Sequence, residues 1–384
     1  MIDRIAAERL KYLSKKFRSV AVVGPRQSGK STLCRAVFPE YTYLSLENPD
    51  ILEFANSDPR GFLTQINYGN GVILDEIQKA PRLFSYLQQV LDETKMKGRF
   101  ILTGSNHFLL QENITQTLSG RIAYLQLLPL SLAELKASNH LHPDYVDHLI
   151  TGGYPEVIAE NINPSDWFPN YIGTYIERDV RQLKNINNLS LFLKFLRMCA
   201  GRTGQILNMA SLANDCGIDQ KTVAAWLGIL QSSFIVYLLK PFYQNFNKRI
   251  TKSPKLYFYD TGVACSLFGI KISEQITLHP SIGALFENMI ISELLKTRFN
   301  AGDVDNLYYW RDKTGHEVDI IAEDGEILTA MEVKAGQTIS SEFFKGLEYF
   351  SALTTTEMKK IVIYGGHQPQ LRSNGIVVKP WNIF

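Results

Sequence analysis

The sequence predicts an α/β protein in three parts, and two stretches of the chain carry that prediction. The apolar run at residues 20–23 leads into GPRQSGKS at residues 24–31, the pattern of a buried strand that turns into a helix. Near the other end, alternating strand patterns at residues 317–322 and 327–334 flank Asp324-Gly325, a two-residue hairpin signal. Strand and helix patterns alternate up to about residue 150, and a mainly helical stretch follows before the second of these stretches. We therefore expect a parallel sheet covered by helices, a helical middle part and a second α/β part.

The glycine-containing segment fits the phosphate-binding pattern G-x-x-x-x-G-K-[ST]. Its glycines let backbone N–H groups converge on an anion at a helix N-terminus. Lys30 can reach the outer phosphates, and Ser31 can ligate the Mg²⁺ that accompanies the nucleotide. A turn that binds nothing is the alternative. The predicted cofactors are ATP and Mg²⁺, and the predicted nucleotide-binding residues here are Gly24, Pro25, Arg26, Gln27, Ser28, Gly29, Lys30, Ser31 and Thr32.

Two further strand patterns end in polar residues that can complete a hydrolytic site. The run GVILDE ends in Asp75, which would hold Mg²⁺ through water, and Glu76, which would orient or deprotonate an attacking water. The run FILTG leads to Ser105 and Asn106, either of which would sense the γ-phosphate if this strand lies between the other two. A solvated acidic turn and a simple turn are the respective alternatives.

Arg121 precedes a further strand pattern at residues 122–127 and is the candidate arginine finger. Such a cation stabilises the charge that develops during phosphoryl transfer, from a closed contact in the same molecule or from a neighbouring copy. An exposed arginine without that role is the alternative, and the finger would then be sought at Arg178 or Arg181.

Length and composition predict a multidomain protein of the reducing cytoplasm. The 384 residues are 45% hydrophobic, enough for two or three cores. The formal net charge of +2 does not by itself argue for nucleic acid. The four cysteines lack the paired spacing of zinc or disulfide frameworks, and no long apolar stretch indicates a membrane partner. Strand and helix patterns alternate up to about residue 150, so the predicted domains are 1–150, 151–270 and 271–384. Strands of the first domain are expected near Val20, Tyr41, Val72, Phe100 and Ile122.

A winged helix-turn-helix is predicted between about residues 189 and 269. One helix covers residues 209–216, and after a turn at Gly217 a second helix begins behind Asp219 as N-cap. The core face of the second helix comprises Val223, Trp226, Leu227 and Leu230. Strands at 235–238 and 255–259 would form the wing, with phosphate-contacting cations at Lys248, Arg249, Lys252 and Lys255. Because the second helix itself carries only Lys221, DNA and a protein partner both stay open.

The C-terminal hairpin gathers three charged residues on one face. Pairing around Asp324-Gly325 sets Asp319 opposite Ala330, so Asp319, Glu332 and Lys334 share a face while the other is apolar. Two carboxylates can hold Mg²⁺, and the lysine can activate water for phosphodiester cleavage. Helical spacing adds Glu287 as a third acid, since a carboxylate on an apolar stripe must be paired or ligating. A half-solvated hairpin with an ion pair is the alternative.

Taken together, GPRQSGKS, LDEIQ, LTGSN, LSGR, GGYPE, YIERDV, SPKLYFYDTG, EVDI and MEVKA resemble a widespread family of prokaryotic ATPases over nearly the whole chain. The resemblance implies an AAA-type P-loop ATPase domain, a winged-helix segment and a restriction-endonuclease-like C-terminal domain. It places Lys30 and Ser31 on nucleotide and Mg²⁺, Asp75 beside the metal and Glu76 as the catalytic acid. It maps Asp319, Glu332 and Lys334 onto the D…E-x-K pattern, although Val318 stands where that pattern has proline.

Two classes of function follow from the sequence. The first is an ATPase whose turnover moves or licenses a DNA-processing domain. The second is an ATP-dependent switch, alone or as a homo-oligomer, whose nuclease-like fold is inactive and docks a protein partner. A small-molecule kinase fits less well, because the adjacent Asp75 and Glu76 suit the activation of water, which a kinase must avoid.

Overall fold

The chain forms two compact units. The computed structural model describes residues 2–67, 69–93, 96–105, 118, 120–175, 188–242, 253–354 and 356–384. The first unit comprises Met1–Glu134, Ser232–Phe234 and Lys296–Val304. The second comprises Leu135–Gln231, Ile235–Leu295 and Asp305–Phe384.

A five-stranded parallel sheet forms the centre of the first unit. Its strands are β1 (Ser19–Val23), β2 (Thr42–Ser45), β3 (Val72–Asp75), β4 (Phe100–Gly104) and β5 (Ile122–Gln126). Their order is β2-β3-β4-β1-β5, and every neighbouring pair is parallel. The five predicted strands are therefore confirmed, and β4 lies between β1 and β3. The carboxyl ends of these three central strands meet at one edge of the sheet.

Helices precede and connect the strands of this sheet. They are α1 (Ala6–Lys16), α2 (Lys30–Val37), α3 (Pro49–Ser57), α4 (Pro59–Gln65) and α5 (Leu83–Glu93), and α6 (Leu132–Ala137) follows β5. Of these, α1 and α2 pack their apolar residues against the buried strands. Short-range signals set the helix starts: Asn48 Oδ1 accepts a hydrogen bond from the N–H of Asp50 at 3.0 Å, beside a proline that has no N–H to lose. The core beneath α1 and α2 includes Leu10, Val20 and Ile101, all fully buried.

The helices that lie wholly or mostly in the second unit include the two that the sequence predicts on either side of Gly217. In chain order they are α7 (Tyr145–Thr151), α8 (Pro155–Ala159), α9 (Pro164–Tyr175), α10 (Leu189–Ala200), α11 (Met209–Cys216), α12 (Gln220–Ser232), α13 (Thr261–Phe268), α14 (Ser273–Thr277), α15 (Ile282–Ala301) and α16 (Lys345–Ser351). Gly217 adopts a φ of 72°, which favours glycine, and Asp219 Oδ1 accepts a hydrogen bond from the N–H of Thr222 at 2.9 Å. The predicted helix boundaries and N-cap are confirmed. In the part of the chain that the structure describes, no helix is both long and apolar enough to cross a bilayer.

An eight-stranded sheet forms the rest of the second unit. Its strands are β6 (Val236–Pro241), β7 (Lys255–Phe258), β8 (Leu307–Arg311), β9 (Glu317–Asp324), β10 (Ile327–Lys334), β11 (Met358–Tyr364), β12 (Gln370–Leu371) and β13 (Val377–Pro380), in the order β12-β13-β11-β10-β9-β8-β6-β7. The two strands predicted as a wing, β6 and β7, do pair antiparallel. They also extend the sheet of the C-terminal hairpin, because β6 runs parallel to β8.

The predicted register of the C-terminal hairpin is wrong by two residues. Leu328 pairs with Glu323 and Met331 with Ile320, so the turn is at Gly325-Glu326 and not at Asp324-Gly325. Asp319 consequently does not lie opposite Ala330, which pairs with Ile321. A shift of two residues preserves the side-chain alternation, so Asp319 stays on the face of Glu332 and Lys334.

Candidate functional site

The loop between β1 and α2 is shaped by glycines. A Cβ added to Gly24 would lie 2.0 Å from the carbonyl oxygen of Leu127, so only glycine lets the chain pass there. Gly29 has a φ of 88° and immediately precedes α2, which begins at Lys30. The loop thus ends at a helix N-terminus, the arrangement that binds phosphate groups.

Lys30 is buried within this loop, at 5% exposure. Its Nζ donates hydrogen bonds to the carbonyl oxygens of Gly24 at 3.1 Å and Pro25 at 2.7 Å. Burial lowers the pKa of Lys30, while the charges of Glu76 and Asp75 act in the opposite direction. The hydroxyl of Ser28 is also buried and, among the described residues, has no hydrogen-bond partner.

Asp75, at the end of β3, accepts hydrogen bonds from three hydroxyl groups. Ser31 Oγ donates to its Oδ1 at 2.6 Å, and the hydroxyl of Tyr43 donates to its Oδ2 at 2.7 Å. Thr103 on β4 donates to Oδ1 as well. The partners of this carboxylate in these contacts are therefore neutral groups, and no lysine or arginine is among them.

Glu76 follows directly and is buried, in a backbone conformation that is uncommon for its residue type. Its φ of 55° lies in the left-handed region, which costs a non-glycine residue free energy and is typical of functional sites. The Oε2 atom accepts hydrogen bonds from Gln78 Nε2 at 2.5 Å and Ser105 Oγ at 3.0 Å. The backbone N–H of Glu76 donates to Thr103 Oγ1 at 3.3 Å.

These residues fit a nucleotide with Mg²⁺. The unpaired Ser28 hydroxyl and the glycine-lined helix N-terminus suit a phosphate group. Ser31 and Asp75 offer adjacent hard oxygen atoms, the donors that Mg²⁺ prefers, and Lys30 supplies a positive charge next to them. The geometry therefore brings four predicted site residues together at one end of the sheet.

Other predicted site residues are placed differently. Arg121 lies at the opposite edge, because it precedes Ile122, which pairs with Ser19 at the start of β1, whereas the loop follows the end of β1. A strand of this length separates the edges by about 15 Å, so Arg121 cannot serve the nucleotide of its own molecule. Its guanidinium instead pairs with Asp92, at 2.6 Å and 3.0 Å. Asn106, Arg178 and Arg181 lie outside the described residues.

Sequence reasoning missed three residues of this site: Tyr43, Gln78 and Thr103. Thr103 and Tyr43 sit on the strands that flank β3, so their polar side chains near strand ends were an available signal. Gln78 gave no such signal, since its role depends on the left-handed turn at Glu76.

The second unit brings the predicted hairpin residues together. Lys334 Nζ donates to Asp319 Oδ2 at 3.1 Å and to Glu332 Oε2 at 3.3 Å, and the N–H of Val333 donates to Asp319 Oδ2 at 2.9 Å. Burial, then the charge of Asp319, raises the pKa of Glu332 to about 10. Burial also acts to raise the pKa of Asp319, but Lys334 and a hydrogen bond from Glu332 outweigh it and hold that pKa below its ordinary value. The pKa values of the two acids therefore move in opposite directions.

Glu287, the predicted third acid, contacts a different cation. Its Oε1 accepts hydrogen bonds from Lys255 Nζ at 3.0 Å and from the Tyr257 hydroxyl at 2.5 Å, and Lys255 pairs with Glu317 as well. The prediction that Lys255 contacts phosphate on a wing is wrong, because its side chain is only 3% exposed and faces these acids. The other predicted wing cations, Lys248, Arg249 and Lys252, lie outside the described residues.

A lysine contacts each of these acids. The described residues contain no group of three or more His, Cys, Asp or Glu side chains arranged to hold a metal ion. Metal binding by Glu287, Asp319 and Glu332 stays a prediction. A metal ion there would have to displace Lys334 or Lys255 from its carboxylates, or bind on the remaining oxygen atoms.

Comparison with known families identifies the type of domain in the N-terminal part of the chain. Residues 16–136 match the AAA domain family. Residues 142–274 and 282–384 match two domains of unknown function, DUF8612 and DUF4143. Together with the phosphate-binding loop and the strand order, the AAA match defines the N-terminal part of the chain as an AAA-type P-loop ATPase domain, a class that binds and hydrolyses ATP.

Full-length relatives define the family. The chain is 30% identical over 386 residues to the uncharacterized protein Rv2008c of Mycobacterium tuberculosis, a match that covers 98% of this chain and 83% of the relative. The uncharacterized protein Mb2031c of Mycobacterium bovis matches with the same identity and coverage. The chain belongs to one family with these mycobacterial proteins.

The similarity of the chain to solved structures is weaker. The Walker-type ATPase of Pyrococcus abyssi is 16% identical, with 70% of this chain and 96% of that chain covered and a TM-score of 0.47. The RuvB Holliday junction branch migration motor of Thermotoga maritima is 15% identical, with 60% and 88% covered and a TM-score of 0.31. The ATPase class therefore rests on the AAA match, the loop and the strand order.

Proposed function

We propose that this protein binds ATP with Mg²⁺ in the loop of residues 24–31 and hydrolyses it with Glu76 as the general base. The observation that carries the proposal is the 2.6 Å contact between Ser31 Oγ and Asp75 Oδ1, with buried Glu76 next in the chain. A hydroxyl suited to ligate Mg²⁺, near the start of α2, thus contacts the acid at the end of β3, and the candidate base follows that acid in the chain.

Each residue has a distinct role in this proposal. Lys30 stabilises the charge of the outer phosphates, and the glycines of the loop let backbone N–H groups point at them. Ser31 and Asp75 hold Mg²⁺, which supplies neutralising charge at the phosphate oxygens when it is bound. Glu76 accepts a proton from water, and its fixed carboxylate lowers the cost of orienting that water.

Two variants test the proposal. Lys30→Ala should weaken ATP binding, whereas Glu76→Gln should preserve binding and abolish turnover, because it keeps the phosphate cradle and removes the base. Nucleotide titration and phosphate release measure the two effects. Turnover at the wild-type rate in Glu76→Gln would refute the assignment of the base.

Arg121 is proposed to act on the nucleotide of a neighbouring copy, which makes the protein a homo-oligomer during turnover. The support is its place at the sheet edge opposite its own loop, about 30% exposed and held in a bidentate pair with Asp92. Arg121→Ala should slow hydrolysis and leave ATP affinity unchanged. In wild-type protein, turnover per molecule should fall on dilution; a rate that is independent of concentration in both proteins would assign Arg121 a structural role.

For the second unit we propose a DNA-processing role, with residues 151–270 as a helical and winged-helix part and 271–384 as a restriction-endonuclease-like part. The supporting observation is the contact of Lys334 with both Asp319 and Glu332 on adjacent strands. Such a set can bind Mg²⁺ between carboxylates and use the lysine to stabilise charge in phosphodiester cleavage.

Nuclease activity is tested by incubating the protein with single- and double-stranded DNA and RNA, with Mg²⁺ or Mn²⁺, and with and without ATP. Asp319→Ala is the matched control, and cleavage that persists in it indicates contamination. Cleavage by the wild-type protein alone is the expected result. Its absence under every condition would contradict a catalytic role for Asp319, Glu332 and Lys334.

A specific observation favours a second candidate, an ATP-dependent switch whose C-terminal fold docks a protein partner. Lys255 already pairs with Glu287 and Glu317, so much of the negative charge that would attract a metal ion is neutralised. DNA-stimulated ATP turnover supports the DNA-processing role. Turnover that DNA leaves unchanged, together with a stable protein complex formed only with ATP, supports the switch.

A further inference from the structure

Gln78 contacts the candidate base but has no role in the function proposed so far. It lies in a short 3₁₀ helix, Ile77–Lys79, that follows β3. Its Nε2 donates to Glu76 Oε2 at 2.5 Å and lies 3.4 Å from Ser105 Oγ. Because a carboxylate can only accept, the amide must turn its NH₂ group toward Glu76, which fixes the direction of its carbonyl oxygen.

That carbonyl oxygen, Gln78 Oε1, is buried and has no hydrogen-bond partner among the described residues. Buried polar groups are nearly always paired, and an unpaired one costs about 1–3 kcal/mol. A polar group left in this state beside the proposed general base can accept a hydrogen bond from a donor that arrives with the reaction. Water is such a donor, since it can give one proton to a carboxylate and share the other with an amide oxygen.

We propose that Gln78 is a second water-orienting residue of the ATPase site, which rests on the ATP hydrolysis proposed above. Its NH₂ group holds the Glu76 carboxylate in place, and its Oε1 accepts a hydrogen bond from the attacking water. The left-handed backbone at Glu76 makes this pairing possible, because it brings the side chains of residues 76 and 78 together within one turn. Ser105 supports the same carboxylate from β4.

The chemical step balances with these groups alone. The water oxygen forms a bond to the γ-phosphorus, and the bond from that phosphorus to the oxygen bridging the β- and γ-phosphates breaks. The electron pair of the broken bond stays on the ADP oxygen. One water proton passes to Glu76, while the other, directed at Gln78 Oε1, stays on the phosphate product.

Three variants test the proposal. Gln78→Leu removes both hydrogen-bonding functions at similar volume, and Gln78→Glu sets a second carboxylate beside Glu76. Gln89→Leu is the matched control, because the Gln89 amide also donates to a carboxylate, Glu93 at 3.1 Å, but on the exposed face of α5. Turnover, its pH profile and the affinities for ADP and for ADP with aluminium fluoride, which mimics the reacting γ-phosphate, are measured for each.

In Gln78→Leu we expect turnover to fall about 10- to 100-fold, a typical share of the effect of positioned acid–base groups. The affinity for ADP should be unchanged, and the extra affinity for ADP with aluminium fluoride should be lost. In Gln78→Glu the acid limb of the pH profile should move to higher pH, because a neighbouring negative charge favours protonation.

The outcomes distinguish the proposed role of Gln78 from the proposed ATPase function on which it rests. Absence of turnover and of ATP binding in the wild-type protein would refute the ATPase function and this role with it. Wild-type turnover that Glu76→Gln abolishes and Gln78→Leu leaves intact would overturn the role of Gln78 alone. Equal losses of ADP and ADP–aluminium fluoride affinity, or an unchanged pH profile in a slow Gln78→Glu variant, would show that Gln78 merely maintains the structure.

Discussion

Both units place a lysine close to buried acids, yet they satisfy these charges in opposite ways. In the first unit Lys30 donates to carbonyl oxygens of its own loop, while Asp75 accepts from hydroxyl groups. In the second unit the lysines donate directly to the acids: Lys334 to Asp319 and Glu332, and Lys255 to Glu287.

This difference bears on what each site can bind. Acids held by neutral donors keep their negative charge available to a metal ion, and a lysine held by carbonyl groups keeps its positive charge available to phosphate. Acids already paired with lysines have lost part of the attraction for a metal ion, because a cation that enters must first break those pairs. The first site is therefore prepared for a nucleotide with Mg²⁺, and the second is nearly neutralised by its own residues.

The largest effect is expected from Asp75. Asp75→Asn removes the negative charge that would hold Mg²⁺ and should lower ATP turnover about 10²- to 10³-fold, comparable to the loss of other transition-state charge stabilisation. Titration of Mg²⁺ at fixed ATP measures it, with half-saturation expected at higher Mg²⁺. Exposed Asp50→Asn is the control and should behave as wild type. Unaltered Mg²⁺ dependence in Asp75→Asn would place the metal elsewhere.

Substitution of Lys255 should mainly change the stability of the protein, whereas substitution of Lys30 should mainly change its affinity for ATP. Lys255→Met leaves Glu287 and Glu317 without their buried cation and should lower the free energy of unfolding by about 3–5 kcal/mol. Lys30→Met should change it by only about 1 kcal/mol, because relief of the buried charge offsets the lost hydrogen bonds. Its effect should instead be a fall in ATP affinity of about 100-fold or more, in keeping with the loss of a direct phosphate contact.

Urea unfolding and ATP titration of both variants check this contrast. Adding Glu287→Gln to Lys255→Met should recover part of the lost stability, since it removes one of the uncompensated charges. Equal destabilisation by both lysine variants would mean that the two sites are built alike.

A third contrast is the pH dependence of stability set by Glu332. Its pKa rises from an ordinary 4.5 to about 10, so the folded unit keeps a proton that the unfolded chain releases. The free energy of unfolding contributed by this group is complete below pH 4.5 and is lost as the pH rises toward about 10. Glu332→Gln stays neutral and should flatten that decline, measured by urea unfolding at several pH values.

The exposed acid Glu342 provides the control, and Glu342→Gln should keep the wild-type slope. Steeper loss of stability at high pH in Glu332→Gln than in wild type would show that Glu332 is ionised in the folded protein. Added Mg²⁺ that lowers the wild-type slope would indicate that the metal replaces the proton.

Contiguous features of the fold were predictable from the sequence. The phosphate-binding loop, the acids at the end of β3 and the caps of α11 and α12 are each set by residues a few positions apart, whose backbone preferences suffice. Prediction became weaker where distant segments meet. Helical spacing identified Glu287 as an acid that needs a partner, but it could not show that the partner is Lys255 on β7.

The hairpin shows the same limit at close range. Alternation correctly placed Asp319, Glu332 and Lys334 on one face, yet the turn fell one residue later than its sequence suggested. Side-chain period is a property of a strand alone and survives a shift of two residues. Register depends on how the turn and the neighbouring strands pack, and this packing cannot be deduced from one segment of the sequence.

By itself, the sequence determined that this chain has a P-loop with two acids at the end of a later strand, because local backbone chemistry permits few other uses of those residues. Tertiary structure alone decided that Arg121 faces away from its own loop, that Lys255 is buried among acids and that Gln78 contacts Glu76. These outcomes depend on which strands are neighbours and on which groups lose their water. Burial makes the interaction between two charges much stronger than it is at the surface, and the sequence does not state which charges will be buried together.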